Sequence, residues 1–193
     1  MVIGITGGIG SGKSTIGRAL AEKGYAVYEC DREAKRIIAE DKSVQRKIIA
    51  LLGDPSFVEG KYNTPYVAQR VFADPTLLEA LNAIIHPAVC KDIKHLENKY
   101  TYPVLFVESA ILYEAGLDQI CDKIIVVDAP EDVRIARTIT RDYNGDASKA
   151  NINSVRARIN TQRRHSGDIT IYNDGKTSID ALVAKITHWM EKN

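Results

Sequence analysis

The stretch GGIGSGKST, residues 7–15, constrains this chain more than any other part of its sequence. It directly follows the apolar run Val2-Ile3-Gly4-Ile5. Glycine loses more backbone entropy on ordering than any other residue, so a stretch this rich in glycine makes a poor strand or helix interior. The stretch is instead typical of a tight turn whose backbone N–H groups surround an anion.

The spacing Gly7-x-x-x-x-Gly12-Lys13-Ser14 matches the phosphate-binding loop of nucleotide-binding proteins, which lies between a strand and a helix. Lys13 is predicted to bridge the β- and γ-phosphates of ATP, and the Ser14 hydroxyl to ligate Mg²⁺. The predicted nucleotide-binding residues of the loop are Gly8, Gly10, Ser11, Gly12, Lys13, Ser14 and Thr15.

Composition narrows the class of protein. With 193 residues and 45% hydrophobic residues, one compact domain is expected. A net charge of +1 gives no overall field for nucleic acid or an anionic membrane. Three widely spaced cysteines predict reduced thiols. Because we find no leader-like start and no apolar run of membrane-spanning length, we expect a soluble, cytoplasmic protein.

Short apolar runs alternate with segments of helical spacing, which predicts a parallel sheet covered by helices. We therefore expect a three-layer α/β/α fold with five parallel strands, in which the first strand, the helix Lys13–Lys23 and the second strand form a right-handed βαβ unit. The predicted strands are Val2–Thr6, Tyr25–Cys30, Val104–Val107, Lys123–Ala129 and Ile169–Tyr172.

Three regions are expected within the single domain. Residues 1–30, 101–133 and 165–193 form the core, which closes with an amphipathic helix over 177–192. Residues 31–100 form a helical, acceptor-binding subdomain, in which Thr64 and Asp74 are expected to cap helices that begin with proline. Residues 134–164 form a helical lid.

The second predicted strand ends in Tyr28-Glu29-Cys30-Asp31, at the same sheet edge as the glycine loop. A carboxylate there could accept the proton of an attacking hydroxyl or help hold Mg²⁺. Asp31 is the candidate, and N-capping of a helix over 32–40 is its alternative role. Glu29 could equally be a solvated strand-end residue.

A phosphate-binding loop leaves the fate of the γ-phosphate open. We find no guanine-reading N-K-x-D motif, and the D-x-x-G at Asp142 lies too late in the chain for a GTPase. A short chain with a helical insert and a late basic segment is more typical of a small-molecule kinase.

Motifs in order over nearly the whole chain resemble the dephospho-CoA kinase family. The resemblance implies ATP-dependent phosphorylation of the ribose 3′-hydroxyl of dephospho-CoA. It also implies that Asn173 and Gly175 lie against the adenine. The matching motifs are GITGGIGSGKST, Asp31-x-x-Ala34-Lys35, Ile85-His86-Pro87, Ile111-Leu112-Tyr113-Glu114, Ile125-Val126-Val127-Asp128, Arg137-x-x-x-Arg141-Asp142 and Ile171-Tyr172-Asn173-Asp174-Gly175.

The chain departs from the family pattern at a few positions. Glu29-Cys30-Asp31 stands where the family usually has Asp-x-Asp, and Lys35 replaces the usual arginine. Asp31 keeps the position that the family uses as base. Ser109-Ala110 stand where Val-Pro is common, and Glu108 beside them is, with Asp31, a candidate second Mg²⁺ ligand.

Residues 134–164 carry eight basic and two acidic side chains, a net charge of +6 in an otherwise neutral chain. In a kinase, lid arginines can neutralise charge on the transferred phosphate. Arg141 and Arg137 are the candidates, since i and i+4 spacing places them on one helix face. Either could instead pair with Asp128 or Asp142.

The remaining expectations concern partners. The predicted substrate is dephospho-CoA and the predicted cofactors are ATP and Mg²⁺, with no nucleic acid or membrane partner. The protein is expected to be a monomer or a weak homo-oligomer. Two other functions stay open: a kinase for a nucleoside, a nucleoside monophosphate or a sugar, and a non-catalytic or RNA-associated nucleotide switch.

Overall fold

The computed structural model describes residues 1–99, 102–144, 151–160 and 166–192. It divides into two compact units, one of Met1–Glu29 with Tyr102–Asn193 and the other of Cys30–Thr101. The strands are β1 (Val2–Gly7), β2 (Ala26–Glu29), β3 (Phe57–Val58), β4 (Lys61–Tyr62), β5 (Leu105–Glu108), β6 (Lys123–Asp128) and β7 (Ile169–Tyr172). The helices are α1 (Lys13–Glu22), α2 (Cys30–Glu40), α3 (Lys42–Leu52), α4 (Thr64–Ala73), α5 (Pro75–Lys99), α6 (Glu131–Asp142), α7 (Ile152–Asn160) and α8 (Ile179–Met190).

The first unit is built on a five-stranded sheet in the order β2-β5-β1-β6-β7, with every pair parallel. The central strand, β1, pairs Val2 with Leu105 on one side and Ile3 with Lys123 on the other. The predicted three-layer α/β fold with five parallel strands is confirmed, and each predicted strand is found within two residues of its expected bounds.

Apolar side chains of the strands and of two helices form the main core. Ile3 and Ile5 of β1 and Phe106 of β5 have no exposed surface. They cluster with the apolar stripes of α1 and α8, which explains why both helices form where the sequence predicts them. The buried helix residues of this cluster are Ile16, Leu20, Leu182, Val183 and Ile186.

Helices α6 and α7 pack against each other through a smaller cluster of Ile135, Ile139, Val155 and Ile159. The sequence predicted a helical lid over 134–164. The structure has two helices there, and residues 145–150 and 161–165 lie outside the described residues. The basic side chains Lys149, Arg163 and Arg164 belong to those segments.

The second unit is mostly helical, as expected. The guanidinium of Arg36 in α2 pairs with Glu33 and Glu40 of the same helix, at 2.6 Å and 3.3 Å, and with Asp92 of α5 at 2.5 Å. A short hairpin, β3–β4, interrupts the helices and was not predicted. Its turn places Glu59 at φ 51° and Gly60 at φ 76°, a left-handed pair typical of tight hairpins.

Three local features of this unit differ from what the sequence suggests. The expected cap at Thr64 is wrong: Asn63 caps α4, because its side chain accepts a hydrogen bond from the N–H of Tyr66. Pro87 lies inside α5, although proline usually ends or kinks a helix, and residues on both sides of it, such as Leu81 and Val89, are buried.

Asp31 is the third departure, because α2 begins at Cys30 and Asp31 therefore lies within the first helical turn. It does not cap a helix over 32–40. Its negative charge near the N-terminus of α2 still interacts favourably with the helix dipole.

No helix in the described ranges is long and apolar enough to cross a bilayer.

Replacing Leu182 with alanine tests the packing of α8. Leu182 has no exposed surface, so Leu182→Ala should lower the free energy of unfolding by about 2–5 kcal/mol. Lys185→Ala, at an exposed position of the same helix, is the matched control and should change it by less than about 0.5 kcal/mol. Urea denaturation measures both, and equal effects would contradict the packing described.

Candidate active site

The glycine-rich loop connects the end of β1 to the start of α1, as the sequence predicted. The N–H of Ser11 donates to the carbonyl of Gly8 at 3.1 Å, which closes the turn. Gly12 precedes α1 with φ 94°, a left-handed conformation that side chains rarely adopt. Helix α1 therefore begins immediately after the loop, and in its first turn the N–H of Thr15 donates to the carbonyl of Gly12 at 3.1 Å.

Neighbouring groups lie so close to the loop glycines Gly10 and Gly12 that a Cβ at either position would force a neighbour to move. A Cβ on Gly10 would collide with the carbonyl oxygen of Arg134 in α6, and one on Gly12 would collide with Nδ2 of Asn173. Glycine is therefore required at these positions by packing as well as by conformation.

Arg137 of α6 lies against the same loop. Its Nη1 donates to the carbonyls of Gly10 and Ser11 at 3.3 Å and 3.2 Å, and to that of Asn173 at 3.4 Å. Its Nη2 donates to Oδ1 of Asn173 at 2.9 Å. The pairings with Asp128 or Asp142 that the sequence left open for Arg137 are not found among the described residues.

A cavity of about 340 Å³ opens beside the loop. Three residues that line it were not singled out from the sequence as site residues: Arg18, Thr138 and Ile179. Arg18 was detectable, because it lies one helical turn beyond Ser14 on α1. Eight residues predicted from the sequence also line the cavity: Gly10, Gly12, Lys13, Ser14, Thr15, Arg137, Arg141 and Asn173.

The other predicted loop residues are placed differently. Gly8 and Ser11 shape the turn without lining the cavity, and Ser11 is fully buried. Gly175, at φ 80°, lies in the loop after β7 and does not line the cavity either. That loop is held by Asp174, whose carboxylate accepts hydrogen bonds from the N–H groups of Thr177 and Lys176, and these bonds lower its pKa.

Ser14 and Glu108, both named as candidate Mg²⁺ ligands, are brought together. The Ser14 hydroxyl donates to Oε1 of Glu108 at 3.1 Å, and only 6% of Glu108 is exposed. Hydroxyl and carboxylate oxygens are donors that suit Mg²⁺, which is usually held by one or two protein groups together with phosphates and waters. Within the described ranges no cluster of three or more His, Cys, Asp or Glu residues could hold a metal ion. The pair therefore fits Mg²⁺ bound with a nucleotide.

Glu29 lies directly beside this pair. Its strand, β2, runs parallel to β5, and in that register Glu29 is opposite Glu108. Both carboxylates therefore lie at the carboxyl edge of the sheet, where ligands of open α/β sheets bind. The sequence left Glu29 undecided because it did not reveal which strand β2 pairs with.

Asp31, the predicted base, belongs to the helical unit. It follows Glu29 by two residues and is exposed in the first turn of α2. Among the described residues its carboxylate makes no hydrogen bond or ion pair. An exposed, unengaged carboxylate close in sequence to a sheet edge is available to a substrate hydroxyl.

Arg141 lines the cavity and also pairs with its neighbour on α6. Its Nε donates to Oδ1 of Asp142 at 2.7 Å, and Arg158 of α7 contacts the same carboxylate at 3.2 Å. Hydrogen bonding to Arg141, followed by that to Arg158, lowers the pKa of Asp142. One of the two pairings that the sequence left open for Arg141 is thus present.

A glycine-rich turn between a parallel strand and a helix, with a lysine at the helix start and arginines across the cavity, defines a P-loop kinase. The family model described as dephospho-CoA kinase matches residues 1–178. The chain belongs to the dephospho-CoA kinase family, whose members are ATP-dependent phosphotransferases. The resemblance seen in the sequence is confirmed.

Curated relatives agree with this assignment. A dephospho-CoA kinase of Fusobacterium nucleatum is 38% identical over 193 residues, covering 99% of this chain and 97% of the relative. One from Chlorobaculum tepidum is 41% identical over 150 residues, covering 73% of this chain and 72% of the relative.

Solved structures match the fold over the whole chain. A Thermus thermophilus protein superposes with a TM-score of 0.78 at 27% identity, covering 100% of this chain and 97% of that one. A dephospho-CoA kinase from Campylobacter jejuni gives 0.69 at 21% identity, covering 99% and 97%. At that identity the second match is an argument for the fold alone.

The loop packing is tested by comparing two glycines. Gly12 and Gly24 have similar φ angles, 94° and 90°, but only Gly12 has neighbours within reach of a Cβ. Gly24→Ala should cost about 1 kcal/mol of stability from backbone strain and leave ATP binding unchanged. Gly12→Ala should in addition weaken ATP binding by about ten-fold or more, because Asn173 must move. Calorimetric titration with ATP measures both, and equal affinities would contradict the packing described.

Proposed function

We propose that this protein transfers the γ-phosphate of ATP to the ribose 3′-hydroxyl of dephospho-CoA, giving CoA and ADP. The observation that carries the proposal is the cavity at the glycine-rich loop. Lys13, Ser14 and Arg141 line it together, in a chain that belongs to the dephospho-CoA kinase family. Phosphoryl transfer needs little covalent chemistry from the protein, so binding and charge neutralisation are its main tasks.

The loop and the start of α1 bind the triphosphate. Backbone N–H groups surround the β-phosphate, the α1 dipole favours negative charge there, and Lys13 bridges the β- and γ-phosphates. Arg137 and Arg141 across the cavity neutralise charge as the γ-phosphate is transferred. The loop holding Asn173 and Gly175 lies against the adenine.

Ser14 and Glu108 would hold Mg²⁺. When bound, the ion would supply positive charge that neutralises the phosphates. The described 3.1 Å contact between the two side chains means that the two oxygen donors already lie together without the nucleotide.

Asp31 serves as the base. Its carboxylate accepts the proton of the attacking 3′-hydroxyl and orients that oxygen toward the γ-phosphate.

The helical unit supplies the acceptor site. It contains a cavity of about 620 Å³ whose lining includes apolar residues such as Ile37 and Val44 and charged residues of both signs. The basic residues are Arg36, Lys47 and Lys91, and the acidic ones are Glu40, Asp41 and Asp92. Such a mixed lining suits an acceptor that has both polar groups and an uncharged arm. The lid over 134–164, the cytoplasmic location, the absence of nucleic-acid and membrane partners, and the monomeric or weakly oligomeric state stay predictions from the sequence.

Two substitutions test the chemistry. Asp31→Asn should lower kcat for dephospho-CoA by about 100-fold or more, because the base is lost while shape is kept. Lys13→Ala should lower kcat by a comparable factor, because it removes a positive charge that stabilises the phosphates. Asp54→Asn and Lys23→Ala, exposed residues outside the cavity, are the matched controls and should retain full kcat in a coupled ADP-release assay. Near-normal kcat in Asp31→Asn would exclude Asp31 as the base.

Glu108→Gln tests the metal site. Removing the charge without changing the shape should raise the Mg²⁺ concentration for half-maximal activity by about ten-fold or more. Glu22→Gln, at the exposed end of α1, should leave it unchanged. A Mg²⁺ titration of initial rates measures both, and an unaltered Mg²⁺ requirement in Glu108→Gln would remove Glu108 from the metal site.

A further inference from the structure

Three consecutive carbonyl groups of the glycine-rich loop are bonded by side chains from outside it. Nε of Arg134 donates to the carbonyl of Ile9 at 2.9 Å, and Nη1 of Arg137 donates to those of Gly10 and Ser11. Both arginines belong to α6 and lie one helical turn apart. One face of one helix therefore binds the carbonyl side of the loop.

Asn173 completes this set from the other side. Its Nδ2 donates to the carbonyl of Ser11 at 3.0 Å, and its Oδ1 accepts from Nη2 of Arg137 at 2.9 Å. Only 2% of Asn173 is exposed. Because its NH₂ group donates to Ser11 and its oxygen accepts from Arg137, the amide of Asn173 has a single orientation that satisfies both bonds.

These contacts also determine where the loop's N–H groups point. In a trans peptide the C=O of one residue and the N–H of the next point in opposite directions, and every described peptide bond is trans. Because the carbonyls of Ile9 and Ser11 are bonded toward α6 and Asn173, the N–H groups of Gly10 and Gly12 point away from them. Gly10 and Gly12 both line the cavity.

Glycine can adopt φ and ψ values that other residues cannot, so a peptide bond beside a glycine can rotate and turn its N–H group to the opposite side. A glycine-rich loop can therefore lose the inward direction of its N–H groups at low cost, unless something outside holds its carbonyls. Electrostatic stabilisation depends on donors that are oriented beforehand.

We propose that Arg134, Arg137 and Asn173 are positioning residues that hold the loop's N–H groups toward the phosphates by binding its carbonyls. The proposal rests on the proposed function, in that the loop must bind a triphosphate. The positioning role differs from a direct contact between Arg137 and the nucleotide, because the three side chains affect phosphate binding only through the loop backbone.

The test compares ATP with inorganic triphosphate, which lacks adenosine. Both are titrated, with Mg²⁺ present, into the natural protein and into Arg134→Ala, with thermal melting as a check on folding. Arg134 bonds the carbonyl of Ile9 and does not line the cavity, so Arg134→Ala removes a carbonyl contact and no cavity-lining charge. It should weaken binding of the two ligands by the same factor, about ten-fold or more. Arg156→Ala, which removes an exposed ion pair with Glu131 on neighbouring helices, is the matched control and should bind both normally.

Asn173→Ala provides a second variant should Arg134→Ala not fold. It removes the donor to Ser11 and the acceptor for Arg137 without adding charge to the cavity, and it should again weaken triphosphate binding. Unchanged triphosphate affinity, with or without a loss of ATP affinity, would overturn the inference. Failure of the natural protein to bind either ligand would instead contradict the proposed function itself.

Discussion

Parallel pairing of the five strands is the constraint on which the rest of the structure depends. It brings the carboxyl ends of β1, β2 and β5 to one edge of the sheet, and with them the glycine-rich loop, Glu29 and Glu108. None of these groups is near the others in sequence. The buried apolar runs that favour the parallel sheet therefore also determine which polar groups meet, since the register follows from burial of both faces.

Much of the fold could be predicted because its signals are local. Five apolar runs, the loop spacing and the amphipathic pattern of α8 each identify an element from a few neighbouring residues. The features that were not predicted depend on tertiary contacts or on weak local signals. The β3–β4 hairpin has strands of only two residues. Helix α5 continues through Pro87 because residues of the helix on both sides of the proline are buried.

The candidate site divides in the same way. The loop residues that line the cavity were identified from their spacing, and Arg137 and Arg141, which have i, i+4 spacing, also both line it. Spacing could not reveal that Arg137 bonds backbone carbonyls of the loop, since such partners have no sequence signature. Nor could it reveal that Glu29 lies opposite Glu108, because that depends on the order of strands in the sheet.

The central position of β1 has a consequence for how the protein is made. Val2 pairs with Leu105, Ile3 pairs with Lys123, and the loop that follows is contacted by Arg137 and Asn173. During synthesis β1 therefore has no strand partner until Leu105 and the residues that follow it have left the ribosome. Contacts so distant in sequence slow folding, and β1 takes its place in the sheet late.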